Sequence, residues 1–325
     1  MRPRPVRDDA RYRAAEAALW AHHGIPDPVE RWVQVPSLGI RVRVMDRGEG
    51  RPVVFVHGTP SAGANLVPLV AALPGIRAIV VDRPGCGLSD PIDYRDLTRD
   101  GLLAALEAYL AAVIESVDQA PVDLVGSSAG GMAVLHLASV RPDLARSIVL
   151  AGVPAVRGMR LPAQMKAAAT APIANAIPRH WTTEREVRAS LRAVGHERLI
   201  AEGGVTGPDM EWRLALARHT DTFAHELRLL RRVATWRGLR SDWMIAQAGL
   251  EAIEAPSLWL VGDRDPYASP ARVHGWAAHA RGSTVVTLPG VGHLPWLDDA
   301  RGVGAMIARW WADAPARMAD VGGRI

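Results

Sequence analysis

Two periods of apolar spacing divide the chain. Tyr12, Ala15, Leu19 and Trp20 share one side of residues 10–22, which predicts a short helix docked on the main body and broken by Pro26 and Pro28. From residue 32 the pattern becomes one of strands and helices in turn. Ile40, Val42 and Val44 alternate with Arg41 and Arg43, as expected of a half-exposed strand. The nearby run at 32–35, across the turn Pro36-Ser-Leu-Gly39, predicts an antiparallel hairpin. Pro52-Val-Val-Phe-Val56 is a continuous apolar run, the signature of a strand covered on both faces of a parallel sheet. Helices at 63–73, 102–117 and 129–140 then interleave with strands at 78–81, 122–125 and 147–150.

Residues 153–245 break this rhythm. Four helical segments are predicted there (162–171, 183–194, 210–220 and 225–236) and no strand-like run. A stretch of this length without strands reads as an inserted helical lid rather than a loop. Strands at 257–261 and 284–288 and helices at 270–280 and 297–312 resume the alternation. The expected fold is α/β, a mostly parallel sheet with helices on both faces. The expected organisation is a leader at 1–31, a core at 32–152 and 246–325, and a lid at 153–245.

Composition narrows the function. Of 325 residues, 49% are apolar and 22% charged, so the chain can bury a core. Its one cysteine, Cys86, excludes an intrachain disulfide and reads as a small filler in a glycine-rich turn. The net charge is +4, yet the 38 basic residues, of which only Lys166 is lysine, are interleaved with 34 acidic ones. That dispersal argues against a nucleic-acid partner. No stretch has the length of a spanning helix and no targeting segment is evident, so a soluble cytoplasmic protein without a membrane partner is expected. His22 and His23 are adjacent on the leader helix, with rings expected to point apart and no third ligand expected near, so no metal site is expected. No phosphate-cradling or dinucleotide fingerprint occurs, and no cofactor is expected. The oligomeric state is left open.

The chemistry concentrates at Val122-Asp-Leu-Val-Gly126-Ser127-Ser128-Ala129-Gly130-Gly131-Met132. An apolar strand runs into G-x-S-x-G and straight into a helix. The nucleophile of such a turn sits on a sharp, strained corner, and the flanking glycines let strand and helix approach. Spacing selects Ser128, since Ser127 would need glycine where Val125 and Ala129 stand. A serine hydroxyl needs a base, and the base an orienting acid, in the chain order Ser, acid, His. Gly262-Asp263-Arg264-Asp265 supplies two carboxylates after one late strand, and Gly290-Val-Gly292-His293 a histidine after the next. Open α/β sheets bind ligands at these carboxyl ends.

In this order the His57-Gly58-Thr59-Pro60 loop, the Asp82-Arg-Pro-Gly-Cys-Gly-Leu-Ser89 loop, the Ser128 turn, and the Asp265 and His293 loops resemble the α/β-hydrolase superfamily over nearly all of residues 32–312. The resemblance implies that Asp265 is the triad acid, with Asp263 the fallback. It also implies an oxyanion hole from the backbone N–H groups of Ala129 and Thr59. His57 reads as a loop organiser. The expected activity is cleavage of a small-molecule carboxylic ester or lactone through an acyl-enzyme on Ser128, with His293 as base. The alternatives are a carbon–carbon hydrolase of ring-cleavage products using the same triad, and a non-enzymatic binder. Serine in place of aspartate at the nucleophile position argues against epoxide hydrolase and haloalkane dehalogenase activity. Met159, Trp181, Trp212 and Trp296 are candidate substrate-binding residues.

Overall fold

The computed structural model describes residues 7–25, 28–117, 119–169 and 182–313. Eight strands form one sheet in the order β1 (Val29–Val35), β2 (Ile40–Arg47), β4 (Ile76–Val81), β3 (Arg51–Val56), β5 (Val122–Gly126), β6 (Ala145–Ala151), β9 (Ser257–Gly262), β10 (Ser283–Leu288). β1 and β2 form the expected hairpin, and β2 is antiparallel to β4. From β4 to β10 every pair is parallel.

The apolar runs explain the two-sided cover. Along β3, Val54 and Val56 join one buried cluster while Val53 and Phe55 join another. A strand's side chains alternate between faces, so a continuous apolar run feeds both layers at once. One layer contains α3 (Arg99–Glu115), α4 (Ala129–Val140) and α11 (Pro270–Ala277). The other contains α1 (Asp9–His22), α2 (Val67–Ala71) and α12 (Pro295–Ala312).

α1 buries Tyr12, Glu16, Leu19 and Trp20. Its docking corrects one expectation. Arg43 belongs to the side of β2 read as exposed, but it is 1% exposed and ion-paired with Glu16, Glu30 and Asp82. Period-two spacing identifies a face but cannot tell water from a covering helix that brings its own carboxylate.

Between β6 and β9 lie α5 (Ala163–Ala168), α6 (Glu184–Ala193), α7 (Glu197–Ala201), α8 (Gly207–His219), α9 (Thr222–Val233) and α10 (Gln247–Glu251). Three departures from the expected pattern occur. α7 and α10 lie where no helix was expected, because five residues carry too little periodicity to read. The last predicted helix ends at Val233 instead of 236, where β7 (Ala234–Thr235) and β8 (Gly238–Leu239) make a small hairpin. Gly238, at φ 131°, sits at its turn. Among the described residues no helix is long and apolar enough to cross a membrane.

Candidate active site

Ser128 follows β5 and precedes α4, with φ 52° and ψ −116°. This conformation is strained for any residue but glycine, and it turns the side chain away from both flanking elements. The neighbouring glycines make the corner possible. A Cβ on Gly130 would lie 2.1 Å from the Val56 carbonyl oxygen, and one on Gly126 2.7 Å from Val134 Cγ2. Gly58 passes directly over Ser128, where a Cβ would stand 2.9 Å from the serine Cβ.

His293 and Asp265 meet as a pair. His293 Nδ1 lies 2.7 Å from Asp265 Oδ2, and both side chains are buried. Asp265 also accepts bonds from the main-chain N–H groups of Val153 (3.1 Å, on Oδ2) and Tyr267 (2.9 Å, on Oδ1). Three donors fix this carboxylate as an acceptor aimed at the imidazole. Asp263 instead is partly exposed and accepts from the Gly290 N–H. The fallback acid therefore does not face His293.

The link between β6 and α5 touches all three residues. Gly152, at φ 86°, packs against the His293 carbonyl, 2.1 Å from where its Cβ would lie. Val153 bonds Asp265, and the Ala155 N–H bonds the Ser128 carbonyl at 3.0 Å. Among the described residues no hydrogen bond joins Ser128 Oγ to His293. Catalytic hydrogen bonds are often long or bent in a substrate-free site and tighten on binding.

Thr59 and Ala129 line a cavity of about 80 Å³ together with Ser128. Neither of their main-chain N–H groups has an acceptor among the described residues. The cavity is otherwise walled by apolar side chains, including Met132, Met159, Met165 and Met244, with Tyr267 and Arg83. The Tyr267 ring lies 4.2 Å from that of His293, so one tyrosine contacts both the cavity and this imidazole. A wider recess of about 480 Å³ shares Met159, Leu161, Leu239 and Met244 with this cavity and carries Arg160, Lys166 and Arg237.

Residues 53–305 match the sequence model of a family described as the alpha/beta hydrolase family. The chain belongs to the alpha/beta hydrolase family. This hydrolase is 28% identical over 282 residues to a pimeloyl-(acyl-carrier protein) methyl ester esterase of Xanthomonas campestris pv. campestris, covering 82% of this chain and 98% of that protein. Among solved structures, carboxylesterase CesB of Bacillus subtilis is similar with a TM-score of 0.72 at 16% identity, over 92% of this chain and 96% of that one. A meta-cleavage product hydrolase of Pseudomonas fluorescens is similar with a TM-score of 0.67 at 14% identity, over 87% and 98%. At these identities the structural likenesses carry the fold alone.

The hydrolase corrects several sequence expectations. Met159 lines the cavity, but Trp212 and Trp296 do not. Trp212 is buried, with its indole N–H 3.4 Å from the Tyr12 hydroxyl under α1. Trp296 is buried with its N–H on the Asn65 carbonyl at 2.7 Å. Both are core residues of the layer opposite the cavity. Trp181 lies outside the described residues. His22 and His23 do have a third candidate ligand: Asp209 of α8 lies with them, the ligand atoms within 4.8 Å of one another. The Arg213 guanidinium, 3.7 Å from Asp209 Oδ1, competes for that carboxylate. The two rings do not point apart as adjacency in sequence suggested: their centroids stand 5.0 Å from each other and both converge on Asp209, which only the fold brings.

Sequence reasoning missed a second buried His–Asp pair. His196 Nδ1 lies 2.8 Å from Asp298 Oδ2, and both side chains are buried. Together with the Val194 carbonyl they accept the three consecutive main-chain N–H groups centred on His293: Gly292 donates to Asp298 (2.9 Å), His293 to Val194 (2.9 Å) and Leu294 to His196 Nε2 (3.1 Å). Asp298, five residues after His293, could have been noticed in the sequence. His196 has no local signal, because its partner is about a hundred positions away.

His57 holds the other loop. Its Nε2 accepts from the Arg83 N–H at 3.0 Å, and its Nδ1 lies 2.8 Å from the Gly58 carbonyl. One ring nitrogen must therefore be bare and the other protonated. Burial, reinforced by the Arg83 charge, pushes its pKa well below the usual histidine range. An imidazole with both ring nitrogens committed to the main chain fits a loop organiser better than a proton shuttle.

Proposed function

We propose that this alpha/beta hydrolase is a serine ester hydrolase, acting on carboxylic esters or lactones whose acyl group is small and apolar. The reading rests on one arrangement: a strained serine, a fixed His–Asp pair tied to it through residues 152–155, and Thr59 and Ala129, whose N–H groups have no acceptor among the described residues, lining the same apolar cavity as the serine. Ser128 Oγ attacks the ester carbonyl while His293 takes its proton. Asp265 accepts a hydrogen bond from Nδ1–H, which keeps that proton on the ring, leaves Nε2 as the basic nitrogen and stabilises the imidazolium. The carbonyl oxygen gains negative charge against the N–H groups of Thr59 and Ala129. Ala129 opens α4, so the positive end of the helix dipole adds to that field. His293 then protonates the leaving alcohol, and a water activated by the same imidazole cleaves the acyl-enzyme.

The relatives named as methyl ester esterases agree with this class of bond. A narrow, methionine-walled cavity suits a flexible aliphatic acyl chain. The test is a panel of p-nitrophenyl esters of rising acyl length, beside lactones and a ring-cleavage dienoate, run with Ser128→Ala. Ester turnover falling at long acyl length, and absent in the variant, is expected. Preferred turnover of the dienoate would assign a carbon–carbon hydrolase. Absence of both turnover and fluorophosphonate labelling at Ser128 would assign a binding protein.

A further inference from the structure

Arg83 is an exception in the cavity wall: a buried guanidinium among apolar side chains, 4% exposed. Its Nη2 donates to the Gly58 carbonyl (3.2 Å), to Thr59 Oγ1 (2.9 Å) and to Glu226 Oε2 (2.6 Å). Its main-chain N–H holds His57. One residue thus bonds each member of the loop that carries the Thr59 N–H. Glu226, 1% exposed, sits on α9, outside the sheet core. The same helix face seats on the glycine-rich turn after Arg83. Thr222 Oγ1 accepts the Gly87 N–H at 2.9 Å, and His225 occupies the space a Cβ on Gly85 would fill.

We propose that Arg83 and Glu226 are positioning residues, a strap through which helix α9 sets the oxyanion loop of residues 57–59. This rests on the assignment of Thr59 as an oxyanion donor. Two observations carry it. The first is the shared donor, which joins Glu226, Thr59 and Gly58 at a single nitrogen. The second is the imperfect compensation of the pair: Arg83 Nε and Glu226 Oε1 are buried without a partner. Buried ion pairs of this kind are poor stabilisers, and well-packed apolar replacements often match or exceed them. Their contribution here is geometric. Without Glu226 the guanidinium swings toward whatever acceptor remains, the Thr59 side chain follows, and the N–H leaves the position where the oxyanion forms.

The test compares Glu226→Gln, and the apolar pair Arg83→Met with Glu226→Leu, against the wild type and Ser128→Ala. Short p-nitrophenyl esters give kcat and KM, a trifluoromethyl ketone that forms a hemiketal oxyanion gives an inhibition constant, and thermal unfolding gives Tm. Glu226→Gln should lower kcat between about 10- and 100-fold with little change in KM, and weaken the ketone in parallel. The apolar pair should regain the wild-type Tm while kcat and ketone binding stay low. Wild-type kcat in the apolar pair, or ketone binding unmoved in Glu226→Gln, would overturn the strap. If Ser128→Ala itself turned over esters normally, the active-site assignment would fall instead.

Discussion

Ser128 pairs function with strain in one residue. Its backbone lies where glycine is at ease and other residues are not, a cost on the order of 1–3 kcal/mol. Ser128→Gly should therefore abolish turnover and yet raise the unfolding free energy by about 1 kcal/mol in denaturant titration. A loss of stability would mean that the corner is relaxed. On the proposed function, Asp265 acts through the tautomer it imposes. Asp265→Asn can donate to Nδ1 and favour the wrong tautomer, so kcat should drop by about 10⁴-fold with burst amplitude reduced and KM nearly unchanged. Ser128 and His293 were legible in the sequence as candidates because both sit beside local punctuation, glycines at fixed offsets after a strand end. The true pocket wall was not. Trp212 and Trp296 look like wall residues by size, but an indole's large apolar area serves a core equally well, and only the fold says which side of the sheet it faces.

Elements carry the pH response. Two buried histidines, His57 after β3 and His225 on α9, are held neutral. Burial brings the His225 pKa down to about 4, from an ordinary value near 6.5. Between those values the unfolded chain binds a proton that the folded chain refuses, so stability is lost as pH falls from about 6.5 toward about 4. The loss from His225 is up to about 3 kcal/mol. His57 adds to it with the same sign. Urea unfolding across pH 4.5 to 7.5 should show this slope, and His225→Leu should flatten part of it; an unchanged slope would assign the response elsewhere. The loop of His293 gives a second element-scale prediction. His196→Phe fills the same space but leaves the Leu294 N–H and Asp298 without their partner. It should cut kcat by about 10- to 100-fold while ester KM stays within a few-fold. A variant with unaltered kcat would show that the loop holds its shape unaided.

At the scale of the molecule, the mostly parallel sheet and its two helical layers followed from the alternation of apolar runs, and the hairpin from close spacing of two extended segments, whereas the order of the strands came only with the fold. Hidden from sequence were the contacts between distant segments that make a surface into an interior. Arg43 read as solvated because nothing in β2 announces that Glu16 will cover it. Glu16→Ala strips a buried guanidinium of one carboxylate and should cost about 3 kcal/mol, measured by chemical denaturation. A cost below about 1 kcal/mol would mean that Glu30 and Asp82 suffice.

Asp82 and Arg83 are consecutive, yet they face opposite clients. Asp82 accepts from Arg43, which in turn holds the N-terminal helix, and from the Gly63 N–H. Arg83 holds the His57 loop and Glu226. A single peptide unit is thus the hub where four otherwise separate pieces are tethered. Swinging α9 clear as a rigid door would therefore strand charge in a dry interior. On the proposed function, side-chain breathing among the methionines admits the substrate to Ser128, so branched acyl groups should be turned away at entry while the length of a linear one is limited by the depth of the cavity.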